Sequence, residues 1–188
     1  MYKKYKFPVQ LFLIFENLSL LYWTSTAVKP NHALSFWPAK TVNVLAKVLR
    51  SELVLSNSFL VESSSIDTSK YSSSILDFDS FLKESKHLLF HIFYFYSLCY
   101  KITFCFPVNN SVPSMESSYL NANWLERELI EMYGINMYGK LDSRNLLLDY
   151  TMIENPLLKS YPCVGITEVF YNPLEDCVSY YPNTSVEL

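Results

Sequence analysis

Glycine is scarce in this 188-residue chain, which has three: Gly134, Gly139 and Gly165. They form neither a GxGxxG nor a P-loop spacing, so neither glycine cradle for a phosphate is present. Histidine is as scarce, with His32, His87 and His91 dispersed along the chain. The four cysteines, Cys99, Cys105, Cys163 and Cys177, contain no CxxC pair and have no histidine at ligand spacing. They read as reduced structural thiols, not as a metal or disulfide framework. A net charge of −3 gives no basic field for nucleic acid. There is also no run of the roughly 18 to 20 unbroken apolar residues that a membrane-spanning helix needs. The first residues, MYKKYKFPVQLFLIFENLSLLYW, have a basic lead and an apolar stretch, but Glu16 and Asn17 interrupt it. No small-residue cleavage site follows, so the stretch does not read as a clean signal peptide, and residues 9–23 read as a helix lying on a partner protein.

Aromatic residues are abundant, with 15 Tyr and 13 Phe, and half of the chain is hydrophobic. Phe and Tyr have AT-rich codons, so the composition suits an AT-biased genome such as an organelle's. The length suffices for one full domain with a core and is short for two.

PAKTVNVLAKVLRSE (38–52) places Val42, Leu45, Ala46 and Leu49 at i, i+3, i+4 and i+7, one face of a helix. LVLSNSFLVESSSID then turns strand-like, and the Ser-rich stretch 63–74 reads as a surface loop. Residues 75–85 read as a short helix. LLFHIFYFYS (88–97) is apolar at nearly every position, as in a strand buried on both faces. KITFCFPV (101–108) alternates, with Ile102, Phe104 and Phe106 on one side. The short gap between these two runs predicts an antiparallel hairpin. After residue 138 the periodicity fades. About 25 residues without regular structure are unusual inside a domain, and they suggest a segment ordered by lying across another subunit. ITEVFYN and CVSYYP close the chain as two short strands.

NWLERELIEMYG (123–134) carries the densest charge. Asn123 with Glu126 makes an N-cap and capping-box pair. Leu125, Leu129, Met132 and Tyr133 form a buried stripe. Glu128 and Glu131 lie off that stripe, and Arg127 and Glu131 are spaced as an i, i+4 ion pair. Gly134 stands where a left-handed C-cap is wanted. Catalytic carboxylates would have to converge on one point, and a helical di-metal site would need Glu-x-x-His repeats. Neither pattern is present, so the helix reads as a charged interface or solvated face. His91, in an aromatic strand, reads as a core or edge histidine.

The stretch ERELIEMYGINMYGKLDSRNLL (126–147) resembles the signature of the 30-kilodalton subunit family of respiratory complex I, the NADH:ubiquinone oxidoreductase. Glu126, Arg127, Glu128, Glu131, Met132, Tyr133, Lys140, Arg144, Leu146 and Leu147 fill its fixed positions. Downstream, Asp149, Tyr150, Pro156, Leu157, Lys159, Pro162, Gly165, Glu168, Val169 and Tyr171 are similar to a second family stretch. The family's Gly-His is Glu154-Asn155 here, and Asn145, Leu158 and Ser160 also depart from its pattern. The resemblance covers roughly residues 40–188.

The resemblance implies an α+β fold: an antiparallel sheet packed with helices, ferredoxin-like, followed by an extended C-terminal arm with a short hairpin. The corresponding division is an extension over 1–37, a core over 38–138 and a docking arm over 139–188. It implies no active site and no cofactor in this chain, because FMN and the iron–sulfur clusters lie in other subunits. The partners implied are the 49-kilodalton quinone-site subunit and the neighbouring iron–sulfur subunits. The setting implied is the matrix side of the mitochondrial inner membrane, in a large membrane-bound complex that also translocates protons. It further implies that Arg144 and Lys159 are interface cations, that Glu126 and Glu128 organise a docking helix, and that Gly134 sets the turn into the arm. Two other classes compete: a free-standing ferredoxin-like binding module, for RNA for instance, and an independent redox or metal enzyme using the four cysteines. The net charge opposes the first, and the missing ligand motifs oppose the second.

Overall fold

A computed structural model describes residues 25–29, 32–51, 55–69 and 85–184. Along the chain these are β1 (Ser25–Lys29), β2 (His32–Phe36), a 3-10 turn at Ala39–Thr41 and α1 (Val42–Ser51). β3 (Ser58–Asp67), β4 (His87–Phe95), a second 3-10 turn at Tyr96–Leu98, β5 (Tyr100–Val108) and β6 (Ser111–Pro113) follow. The last elements are α2 (Ala122–Tyr133), β7 (Asn136–Tyr138), β8 (Thr167–Asn172) and β9 (Cys177–Pro182). The main sheet runs β1-β2-β5-β4-β3, while β6–β7 and β8–β9 form two small sheets.

This is a mixed α+β fold. The expected antiparallel pairing holds for β1/β2, β4/β5 and β3/β4, but β2 joins β5 in parallel. A ferredoxin-like unit places a helix before its last strand. Here only residues 96–99 separate β4 from β5, too few for a helical crossover. Cys99 takes a left-handed backbone (φ 47°) to complete the reversal. The predicted hairpin is therefore present, and the ferredoxin-like connection is not.

Two further expectations are corrected. Strands β1 and β2 lie inside the stretch assigned to an N-terminal extension, so the sheet begins upstream of residue 38. The alternation of HALSF, with Ala33 and Ser35 buried, is the signal for β2. Residues 63–67 of the supposed Ser-rich loop complete β3. Their serines suit a strand because cross-strand groups satisfy them: Ser63 Oγ lies 2.7 Å from His91 Nδ1, and the Ser65 hydroxyl donates to the Leu88 carbonyl. The helix expected over 9–23, the remainder of the Ser-rich stretch from residue 70, and all but the last residue of the helix expected over 75–85 lie outside the described residues.

Helix α1 buries Val42, Leu45, Ala46 and Leu49, the stripe its spacing predicts. Opposite it, β4 buries every second side chain from His87 to Phe95, and β5 is buried on both faces over residues 102–106. Edge-to-face aromatic contacts link the layers: Trp37 to Phe104 (6.1 Å between centroids), Phe104 to Phe93 (5.6 Å) and Phe93 to Tyr119 (5.2 Å). Two aromatic polar tips inside this core are paired. Trp37 Nε1 donates to Ser35 Oγ at 2.6 Å, and the Tyr119 hydroxyl lies 2.6 Å from Ser58 Oγ. The Arg50 guanidinium closes the rim over the Tyr119 ring at 4.4 Å. Cys105 is buried in β5, where burial pushes its thiol up to about 12. His91 is buried in the same core. Among the described residues, no helix is long and apolar enough to cross a membrane.

Candidate functional site

Helix α2 begins at Ala122, so Asn123 lies in its first turn and not at its N-cap. Asn121 holds the cap position without a side-chain cap bond, and its amide donates to the Leu60 carbonyl on β3. The predicted capping box does not form, because Glu126 turns inward. Leu129 is buried, and Leu125 and Tyr133 pack against the core, as the stripe predicts. The buried face also takes Ala122, Glu126 and Glu131.

Glu126 and Lys140 form a buried ion pair, with side chains each 1% exposed and Lys140 Nζ 3.5 Å from Glu126 Oε2. The Ser114 hydroxyl donates to Glu126 Oε2 at 2.6 Å, and the Met115 amide donates to Oε1 at 2.7 Å. Lys140 also donates to Glu116 Oε2 (3.2 Å) and to the Asn123 backbone and side-chain oxygens (3.0 and 3.1 Å). Burial pushes the Glu126 carboxyl above its usual range, opposed by Ser114, Met115 and Lys140. Desolvating two charges is costly, and here every donor and acceptor around them has a partner. The arrangement fixes the 114–116 loop and the chain after β7 to the start of α2.

One turn further along, the helix grips the following segment by its backbone. The predicted Arg127–Glu131 ion pair is absent, because each side chain reaches across to the chain beyond β7. Arg127 donates to the carbonyls of Arg144 (2.7 Å) and Asn145 (2.9 Å), with Asp142 3.7 Å away. Glu131, 5% exposed, accepts from the amides of Leu146 (2.8 Å), Leu147 (3.0 Å) and Leu148 (3.3 Å). The cation takes carbonyls and the anion takes consecutive amides, so residues 144–148 are held by groups they would otherwise leave unsatisfied.

The helix end makes a third tie. Gly134 takes the left-handed C-cap that the sequence predicts (φ 69°), and its amide donates to the Ile130 carbonyl at 2.9 Å. The Asn155 amide group donates to the carbonyls of Glu131 (2.7 Å) and Ile130 (3.3 Å), and the Leu157 amide donates to Met132 O (3.1 Å). A Cβ on Gly134 would stand 2.7 Å from Asn155 Oδ1. A fourth tie comes from the sheet, where Asp67 Oδ2 accepts from the Lys159 amide at 2.9 Å. Burial raises the Asp67 carboxyl, but its bonds from Ser69 and Lys159 outweigh that and lower it overall.

The structure brings Glu126, Arg127, Glu131, Gly134 and Lys140 together as one latch. Glu128 is half-buried, and its side chain makes no hydrogen bond or ion pair among the described residues. Arg144 is 72% exposed and forms a bidentate pair with Asp142 (3.0 and 2.9 Å). Asp149 ties its own turn through Asn145 and Thr151, and Tyr150 is exposed. Pro156 and Pro162 are partly buried, and Gly165 (φ 80°) donates its amide to the Pro162 carbonyl. Sequence reasoning missed Asp67, Ser114, Glu116 and Asn155. Asn155 had a signal, since it stands where the family pattern has a different residue and asparagine is a good backbone cap. Asp67 had none, because its partner is 92 residues away. The segment expected to be ordered by another subunit is anchored over 144–159 by its own domain.

Among the described residues, no three His, Cys, Asp or Glu side chains converge to hold a metal. Of the signature carboxylates, Glu126 binds a backbone amide, a hydroxyl and a lysine, and Glu131 binds three backbone amides.

Comparison with known proteins gives the family. Residues 37–167 match the family model for the respiratory-chain NADH dehydrogenase, 30 Kd subunit. The chain is 45% identical over 185 residues to NADH-ubiquinone oxidoreductase subunit 9 of Paramecium primaurelia, covering 98% of this chain and 88% of that one. Identity to the Paramecium tetraurelia counterpart is 41% over the same coverage, so the likeness reaches the first 35 residues as well. The fold resembles the trypsin-resistant fragment (1–134) of Nqo5, with a TM-score of 0.55 at 13% identity over 71% of this chain and 98% of that one. It also resembles a chain of the membrane-bound sulfane sulfur reductase, an archaeal respiratory membrane complex, with a TM-score of 0.63 at 15% identity over 82% and 84%. The chain belongs to the 30-kilodalton subunit family of the respiratory-chain NADH dehydrogenase, complex I.

Proposed function

We propose that this chain is a non-catalytic structural subunit in the quinone module of the mitochondrial NADH:ubiquinone oxidoreductase. It braces the 49-kilodalton subunit on the matrix side of the inner membrane and neighbours the iron–sulfur subunits. It holds no cofactor of its own, and electron transfer and proton translocation take place in the assembly that it supports. The observation that carries this reading is the use made of the family signature. Glu126, Arg127, Glu131 and Lys140 each bind backbone or side chains of the same chain, which is scaffolding. What they hold in place is a C-terminal segment with large apolar side chains open to solvent, among them Leu141, Ile153 and Leu174, each above 90% exposed.

The test is a native gel of gently solubilised membranes, stained for NADH dehydrogenase activity and probed for this chain. The reading requires the chain in one very large NADH-oxidising band, cross-linkable to the quinone-site subunit. A small free species would refute it and return the chain to the free-standing modules. Arg144→Ala is expected to lower the amount of assembled complex without changing turnover per assembled complex, because its exposed guanidinium is held outward by Asp142.

A further inference from the structure

The β8–β9 hairpin forms a two-stranded sheet of its own, and most of its residues are exposed. Its register pairs Val169 with Tyr180 and Tyr171 with Val178, so these four side chains share one face. All four are between 55% and 65% exposed. The opposite face carries Glu168, Asn172, Cys177 and Ser179 around a stacked Phe170–Tyr181 pair at 4.6 Å. The hairpin therefore has a continuous apolar, tyrosine-rich face and a mixed one. A two-stranded hairpin is marginal alone in water, and tyrosine-rich apolar patches of this kind are the usual core of protein interfaces.

Charge selects the occupant of that face. From residue 160 to 188 the chain contains no Lys, Arg or His, while Glu168, Glu175, Asp176 and Glu187 are all acidic. Asp176 is held at the hairpin turn by the Tyr171 hydroxyl, which ties one carboxylate to a residue of the apolar face. The bond to Asp176 raises the Tyr171 phenol. An anionic lipid surface would repel this hairpin, and a second copy would bring like charges together.

We propose that the Val169–Tyr171–Val178–Tyr180 face is the docking surface for a partner subunit with an apolar patch and a basic rim at the Glu175–Asp176 turn. This rests on the subunit reading above and adds the chemistry of the contact. The latch on residues 144–159 gives the hairpin a fixed base before it docks, which lowers the ordering cost of association.

The experiment compares three variants of the full chain in cells that assemble the complex: Val178→Glu on the apolar face, Ser179→Glu on the opposite face, and Glu175→Gln with Asp176→Asn at the turn. All lie on the exposed hairpin, away from the core. Native gels should show at least a tenfold loss of incorporation for Val178→Glu and wild-type incorporation for Ser179→Glu. The neutralised turn should be released from the complex at lower salt than wild type. Equal incorporation of Val178→Glu and Ser179→Glu would overturn the assignment. So would a purified chain that dimerises through this face in sedimentation, or one that floats with cardiolipin-containing vesicles. If the wild-type chain itself is absent from the large NADH-oxidising band, the subunit reading fails instead, which separates the two outcomes.

Discussion

Glu131 is the anchor whose loss the structure predicts most sharply. Its carboxylate accepts from three successive amides, Leu146, Leu147 and Leu148, from a position 5% exposed. In Glu131→Gln the volume is kept, one oxygen can still accept, and the new amide group points N–H donors at N–H donors. A hydrogen bond to a charged group contributes roughly 1.5–3 kcal/mol, and three sharing one carboxylate are not additive. Losing one or two of them should lower the cost of opening residues 146–148 by about 2–3 kcal/mol. At about 1.4 kcal/mol per factor of ten, that is roughly 30- to 150-fold faster amide exchange there. Native-state hydrogen exchange on the purified subunit measures it residue by residue. Exchange in α1 and β3–β5 should change little, because Leu129 and the aromatic core are untouched. Exchange at 146–148 within a factor of about three of wild type would refute the idea that the signature acid orders this segment.

Other perturbations probe the same architecture. Lys140→Met leaves Glu126 buried without its cation and should cost about 3–5 kcal/mol, read as a lower urea midpoint at unchanged slope, with partial recovery when Glu126→Gln is added. Gly134→Ala combines a positive-φ penalty of about 1 kcal/mol with displacement of Asn155 from the helix end. The melting temperature should fall by roughly 2–4 °C for each kcal/mol lost, and an unchanged value would count against the cap. Burial holds the His91 imidazole down to about 3 from 6.5. Because the unfolded chain takes up that proton first, the stability it contributes is complete above pH 6.5 and declines as pH falls toward 3. By pH 5 the loss is about 2 kcal/mol, and His91→Leu should flatten the dependence of the urea midpoint on pH between 7 and 5.

The sequence by itself determined the local elements and the family. The i, i+3, i+4, i+7 spacing of Val42, Leu45, Ala46 and Leu49 is a property of one helix turn after another, so α1 and its buried face are legible without tertiary information. The same holds for the β4–β5 hairpin, whose short connection leaves few alternatives, and for Gly134, whose backbone freedom suits it to the cap. What lay beyond sequence was which charge meets which backbone. Spacing on α2 suggested that Arg127 pairs with Glu131 and Glu126 with Asn123, because an isolated helix offers only its own neighbours. The tertiary structure brought residues 114–116 and 140–159 alongside and offered better partners, amides and carbonyls that had none of their own. The parallel entry of β2 beside β5 was likewise decided in three dimensions, since a contact such as His32 to Thr103, 71 residues apart, leaves no trace in local pattern. A periodicity reports a side chain's face, and only the packed chain decides what that face touches.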